Sequence, residues 1–441
     1  MKKISVYVSV FVVILIALGA WWFFGTVGET GKPSVEIGPE AGAIGRQKEI
    51  GIVFSDKGRG LRHTEVAIIQ DNQRRVISTM DYPDKKEAHK KETIAVDALA
   101  LKLHDGDASL TAAAVDYSLW KNSAEVSLPM KIDILLPHIS LNTVQNYINI
   151  GGACVVSYGV SEAVSKTGLQ AAGIFYPAYK TVGSGQDHYV AYFALPDEIP
   201  AGKEQIALIA VDEAGNQTFS SLPVVIRKKK FVGDKIVLSD AFLNRKMPEF
   251  QSMDPPLSGK TPLEVFIEVN TRFRKENLHT IQAACSKTES RRLWHGAFLR
   301  MKNAAPRAFF GDRRTYLYNG SEVGTSIHNG VDLASVPNAP IEAANDGIVR
   351  FTGLIGIYGN SVIIDHGMGI STLYSHLSSM GVNVDQIVKK GEIIGSSGMT
   401  GLAGGDHLHF GIAINGQFVN PVEWWDPHWI ADNITKKIGN N

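Results

Sequence analysis

Turn signals interrupt residues 33–227 so regularly that only short strands fit between them. Runs of Val, Ile, Ala and Tyr alternate with polar residues, and stretches such as "SDKGRG" and "DEAGN" break the runs. Period-two alternation marks half-buried strands, and Gly, Asp and Asn supply the turns. A weak internal repeat lies within this region. "AVDYSLWKNSAEVSLP" and "AVDEAGNQTFSSLP" share an opening AVD and a closing SLP. Self-similarity on this scale predicts two tandem immunoglobulin-like β-sandwich modules, over 33–135 and 136–227. Such modules serve as spacers or as binding surfaces for other proteins. Their histidines, His63, His89, His104, His138 and His188, are scattered and read as surface or core residues.

The texture changes after "RKKKF". "TPLE" has the form of a helix start, with Thr261 as N-cap, Pro262 at the first helical position and Glu264 closing a capping box. Leu263, Phe266, Ile267, Phe273, Leu278 and Ile281 then recur at helical spacing. Cys285 falls near that face and is expected to be a buried, inert thiol. The only other cysteine is Cys154, and two free thiols are expected rather than a bridge. Residues 228–310 are thus a basic, partly helical linker.

Charge is informative only when it is divided along the chain. The 44 basic and 44 acidic side chains cancel overall, which gives no support for a nucleic-acid partner. Residues 227–310, however, carry 17 Lys/Arg against 8 Asp/Glu, a net of +9, and residues 311–426 carry 5 against 11, a net of −6. The basic segment is expected to dock on the acidic domain; holding an anionic polymer is the other use of such a segment.

The N-terminus is the longest apolar run. Lys2 and Lys3 precede residues 4–24, which contain no charge and end in Trp21-Trp22-Phe23-Phe24. About 20 apolar residues span a bilayer as a helix, with lysines on the cytoplasmic side and aromatics at the interface. Residues 1–32 are therefore expected to be a single-pass anchor in the inner (cytoplasmic) membrane, with the bulk of the chain in the periplasm or outside the cell. A cleaved signal peptide fits less well, because its apolar core is shorter and ends in small residues.

From residue 311 to the end the chain is glycine-rich and β again, with a helical pattern only in the arm "PVEWWDPHWIADNITKKI". Its chemistry concentrates in two motifs. "GDHLHFG" places His407 and His409 two apart, on one face of a strand. "HNGVDLAS" places His328 and Asp332 four apart, with Gly330 arguing for extended backbone. A hydrolytic zinc site needs three protein ligands, an open position and a proton acceptor. His328, Asp332 and one of the His407/His409 pair complete such a set, and "LYSHLS" adds His376. His366, before a glycine turn, reads as a turn residue, and His428 reads as structural.

The segment 325–424 resembles the lysostaphin/LytM-type zinc metallopeptidases, which cut peptide cross-bridges in bacterial cell walls. The blocks "HNGVDLAS", "APIEAANDGIVRF", "YGNSVIIDHGMGISTLYSHLS", "VKKGEIIGSSGMTG", "GDHLHFGI" and "NGQFVNPVEWW" arrive in that family's order. The resemblance implies that His328, Asp332 and His409 bind one Zn²⁺ per chain. It implies that His407 is the general base and that His376 orients the attacking water or stabilises the tetrahedral intermediate. Tyr358 and Tyr374 occupy groove positions. The implied fold for 311–441 is a small antiparallel β domain with an open groove and a C-terminal arm.

The whole chain is then expected to be mainly β. Its expected function is that of a membrane-anchored zinc metalloendopeptidase hydrolysing peptidoglycan cross-bridge peptides through a zinc-activated water. The alternative is a non-catalytic wall-binding regulator that activates a separate murein amidase. A third reading is a closed structural zinc site, which would need His407 as a fourth ligand.

Overall fold

The computed structural model describes all residues except 1, 24–28, 85–86, 144, 182–186, 204 and 439–441, and describes 2–6 and 40–41 by backbone only. The chain is mainly β and divides into two compact units. One comprises residues 1–137, 163–165 and 211–218; the other comprises 138–162, 166–210 and 219–441.

The N-terminal expectation is corrected. A helix, α1, does span Lys2–Trp22, but among the described residues no helix is long and apolar enough to cross a membrane. The inner-membrane placement rested on that segment and falls with it; Met1 and 24–28 lie outside the described residues.

In the first unit a three-stranded sheet orders Ser34–Ile37, Gln47–Ser55 and His89–Asp97. A five-stranded sheet orders Ala43–Ile44, Ser123–Ile132, Gly106–Asp116, Leu61–Gln70 and Gln73–Asp81. The alternation noted in the sequence is what builds the core: Ile50, Ile52 and Phe54 point inward and meet Leu61, Val66, Ile68 and Leu110. The first copy of the AVD repeat is explained by turn chemistry. Asp116 is buried and its carboxylate accepts hydrogen bonds from Ser118 N, Ser118 Oγ and Asn122 Nδ2. In the second copy, Asp212 does the same for Asn216 N and Nδ2. An Asp at the first turn position satisfies backbone donors that the strands leave free.

The second unit holds the chemistry. Its basic segment forms α2 (Asp240–Met253), α3 (Pro262–Glu268) and α4 (Arg274–Cys285), with a π turn at Val269–Phe273 joining the last two. Thr261 and Glu264 form the reciprocal capping box read from the sequence. Phe250, Phe266, Phe273 and Ile281 of this segment share one core with Ile355, Ile363, Leu373 and Phe418 of the C-terminal sheet. The segment therefore docks on the acidic region, and it does so mainly through apolar burial, the dominant favourable term in such packing. Polar contacts add direction: Arg350 bonds Glu289, and the buried Lys246 ammonium donates to Met399 O at 2.6 Å. Cys285 lies in that core, and burial pushes its thiol up to about 11; both cysteines are free and buried.

The C-terminal sheet runs Ala305–Ala308, Val331–Ala334, Leu408–Ile414, Ile370–Leu377, Gly359–Asp365, Gly347–Ile355, Ile387–Val388. Every pairing along this path is antiparallel. A smaller sheet pairs Arg313–Tyr318 with Ser321–Ile327 and, in parallel, with Gly233–Val237 of the basic segment. The buried Glu423 carboxylate accepts from Asn149 Nδ2 at 2.6 Å and Ala153 N at 3.2 Å, fixing the terminal arm to the strand region before the helices.

Candidate metal centre

Strand register assembles the site. Asp332 stands directly opposite His409 in the antiparallel pair Val331–Ala334 and Leu408–Ile414, and Ser375 stands opposite His409 on the other side. His328 sits just before the first of these strands, at 5% exposure, beside Asp332 at 8% and His409 at 4%. His328 Nε2, Asp332 Oδ1 and His409 Nδ1 form a triangle with edges of 2.9, 2.9 and 3.0 Å. Among the described residues these three side chains form a group able to hold a metal ion, with His407 outside it.

The hydrogen bonds at the far side of each ring decide what the near side offers. His328 Nδ1 donates to Phe309 O at 2.9 Å, so its Nε2 carries a lone pair. His407 Nδ1 donates to Gly405 O at 2.8 Å, and His376 Nδ1 donates to Thr400 O at 2.9 Å. Both therefore present a bare Nε2. The three triangle atoms thus face one another with at most one hydrogen among them. Crowded acceptors of this kind are stabilised by a cation, and two imidazoles with one carboxylate suit Zn²⁺. Tetrahedral ligand atoms bound at ~2.0–2.1 Å stand roughly 3.3 Å apart, close to the observed triangle. The residues present fit a zinc ion.

Electrostatics agree with these roles. Burial opposes ionisation of Asp332, but His328, His407 and His409 hold its carboxyl well below the usual range. Burial pushes His409 down to about 4, leaving it neutral at pH 7. Burial, with His407 and His409 beside it, holds His376 well below the ordinary histidine value. His407 goes the other way: burial works against it, yet Asp332, whose Oδ1 lies 3.6 Å from Nε2, raises it. His376 also has φ +64°, a left-handed conformation that a non-glycine residue adopts at a cost of order 1–3 kcal/mol. That kink turns it out of the strand and toward His407, with ring centroids 4.7 Å apart.

The sequence-derived residues His328, Asp332, His376, His407 and His409 all line one cavity of about 450 Å³. Tyr358 lines it too, edge-on to His409 with ring centroids 5.4 Å apart. Tyr374 does not belong there. It lies on the opposite face of its strand, against Phe410, and its buried hydroxyl accepts from Ala344 N at 2.7 Å. His366 stands in the turn between Gly359–Asp365 and Ile370–Leu377, its N–H donating to Ile370 O at 2.8 Å, and it is a core residue as well. It is fully buried, and Nδ1 and Nε2 meet Asp346 O and Thr372 Oγ1 at 2.7 and 2.8 Å.

Two arginines at the site escaped sequence reasoning. Arg314 donates to Asp332 Oδ2 at 3.1 Å, and Arg274, from α4, lines the cavity wall. A signal for the first existed: Arg313 and Arg314 are two of the five basic residues in the acidic stretch 311–426.

The model of Peptidase family M23 matches residues 326–421. This stretch is a peptidase family M23 domain. The M23 domain is similar to curated proteins of bacteria. Over 96 residues it is 46% identical to the DD-carboxypeptidase/endopeptidase Mpg of Neisseria meningitidis, covering 22% of this chain and 22% of that protein. Over 110 residues it is 38% identical to the peptidoglycan DD-endopeptidase ShyA of Vibrio cholerae, covering 25% of each. The chain thus matches about a quarter or less of the length of these curated relatives. Among solved structures, the catalytic domain of lysostaphin from Staphylococcus simulans is 30% identical, with 28% of this chain and 92% of that chain covered and a TM-score of 0.24. All five site residues fall inside the M23 domain, whereas Arg274 and Arg314 lie outside it.

Proposed function

We propose that this chain is a zinc endopeptidase that hydrolyses peptide cross-bridges of bacterial peptidoglycan. The observation that carries the reading is the three-membered ligand group with His407 beside it but outside it. A structural zinc site closes with four protein ligands; three ligands with an adjacent unliganded base leave room for water and substrate. The names of the curated relatives, a DD-carboxypeptidase/endopeptidase and a peptidoglycan DD-endopeptidase, support the substrate class.

In this reading His328 Nε2, Asp332 Oδ1 and His409 Nδ1 hold the ion. Bound there, Zn²⁺ would polarise the scissile carbonyl and acidify a water beside it. His407 takes the proton from that water through its bare Nε2, its Nδ1 being tied to Gly405 O. A histidine so placed accepts a proton and then returns it to the leaving amine. Water oxygen adds to the carbonyl carbon, the C–N bond breaks, and the amine leaves with that proton. His376 is neutral with its only N–H given to Thr400 O. It therefore accepts a hydrogen bond and orients the water, rather than donating to an oxyanion.

The test is hydrolysis of purified sacculi and cross-linked muropeptides by the full chain, with and without a chelator. New amino termini at the cross-bridge, abolished by chelator and restored by Zn²⁺, are expected. No cleavage by a preparation shown to contain zinc would overturn the reading.

A further inference from the structure

A second cavity, about 670 Å³, lies against the metal centre and shares with the first the walls Arg274, Arg314, Ile327, Asn329, Ile357 and Tyr358. Its size is that of a site for a small ligand or a few peptide residues. Four cationic side chains line it: Arg274 and Lys275 from α4, and Arg313 and Arg314 from the strand Arg313–Tyr318. One acidic side chain, Asp197, opposes them, and it is spent on Arg313 at 3.2 Å.

Like charges gathered in one concavity destabilise the fold unless something anionic is recruited there. Here the fold holds them in place. Arg274 Nε donates to Asn270 Oδ1 at 2.8 Å and its NH2 donates to Tyr316 OH at 3.2 Å. Both acceptors are neutral, and among the described residues no carboxylate pairs with this guanidinium. Arg274 follows directly on the π turn that continues α3, so it sits inside a continuous helical run rather than at a free helix end. Arg314 uses one donor on Asp332 Oδ2, leaving others for the cavity. Preorganised guanidiniums with spare donors are the usual receptors for carboxylates.

We propose that this cavity is a subsite for a free carboxylate of the substrate peptide, bound by Arg274 and Arg314 while the adjoining peptide bond lies at the metal centre. The proposal rests on the endopeptidase reading above and names the feature of the peptide that is selected. Stem peptides of peptidoglycan carry free carboxylates, which a cationic pocket beside the scissile bond would discriminate from their amides.

The test compares two cross-linked muropeptides, one with free stem carboxylates and one amidated, using the zinc-loaded full chain. The wild type is expected to favour the free acid in kcat/KM by about tenfold or more, chiefly through KM, as one charge-assisted hydrogen bond provides. Arg274→Gln is expected to bring the ratio close to one, and Arg274→Lys to restore part of it. Lys275→Gln, at an exposed position, should lower the ratio about two- to threefold, and carries the comparison should Arg274→Gln not fold. Equal cleavage of acid and amide by the wild type, or an unchanged ratio in a folded Arg274→Gln protein, overturns the subsite and leaves the endopeptidase reading standing. Cleavage of neither substrate overturns the endopeptidase reading, and the subsite with it.

Discussion

Gly330 lies so close against His409 that a Cβ in its place would stand 2.7 Å from Cε1 and Nε2 of the imidazole and 2.5 Å from Phe410 O. Backbone between His328 and Asp332 can approach the facing strand this closely because that residue has no side chain. Gly330→Ala must therefore displace either the ligand ring or the strand. Overpacking of this kind costs about 1–3 kcal/mol, and misplacing His409 weakens the ion's hold. We expect a folded protein with a lower Tm and metal affinity reduced by about tenfold or more. Competition with a chromogenic chelator measures the second effect and thermal unfolding the first.

Proton transfer and metal holding are separable in this geometry. His407 stands 3.6 Å from Asp332 Oδ1 but lies outside the ligand triangle. His407→Ala should keep close to one zinc per chain while kcat falls by about 10²–10⁴. His409→Ala should lose both. Metal content by atomic emission, set beside turnover of a cross-linked muropeptide, separates the two; zinc loss in His407→Ala would make it a ligand instead.

The proposed ligand set could be read from the sequence because its members are local. His328 and Asp332 are four apart, His407 and His409 are two apart, and the register that sets Asp332 opposite His409 does the rest. The groove position of Tyr374 came from the family resemblance alone, whereas cross-strand pairing sets Tyr374 beside Phe410, on the face opposite His409. The glycine neighbour announced the turn at His366 but not its burial, which depends on Phe298 and Thr372 arriving from elsewhere. Arg274 could not be seen at all. It reaches the site only because α4 buries Ile281 and Cys285 against the sheet, which is a tertiary fact.

Removing the ion should leave His328 Nε2, His409 Nδ1 and Asp332 Oδ1 facing one another with too few hydrogens. Anything that binds the folded state alone stabilises it by RT ln(1 + [L]/Kd), about 4 kcal/mol at a thousandfold excess over Kd. The chelated protein is therefore expected to unfold at lower temperature, and its Tm to climb steadily with added Zn²⁺. Asp332→Ala should abolish that dependence. Differential scanning fluorimetry across a zinc series reads it directly, and a Tm indifferent to zinc in the wild type would refute the ligand assignment.

Acid should destabilise the second unit through His366. Burial pushes its folded pKa from 6.5 down to about 4, so the folded state resists protonation and the unfolded state does not. The folded pKa lies below the unfolded one. The stability from neutral His366 is accordingly intact above pH 6.5, declines as pH falls from there toward 4, and is fully lost below. A shift of that size corresponds to about 3 kcal/mol at most, at ~1.4 kcal/mol per unit. His366→Gln should be less stable than the wild type at pH 7, because the hydrogen bonds to Asp346 O and Thr372 Oγ1 are remade imperfectly. Its stability should nevertheless depend less on pH between 6.5 and 4. Urea unfolding of zinc-loaded protein at pH 7 and 4.5 measures both slopes. Parallel losses in the two proteins would show that the acid sensitivity resides elsewhere.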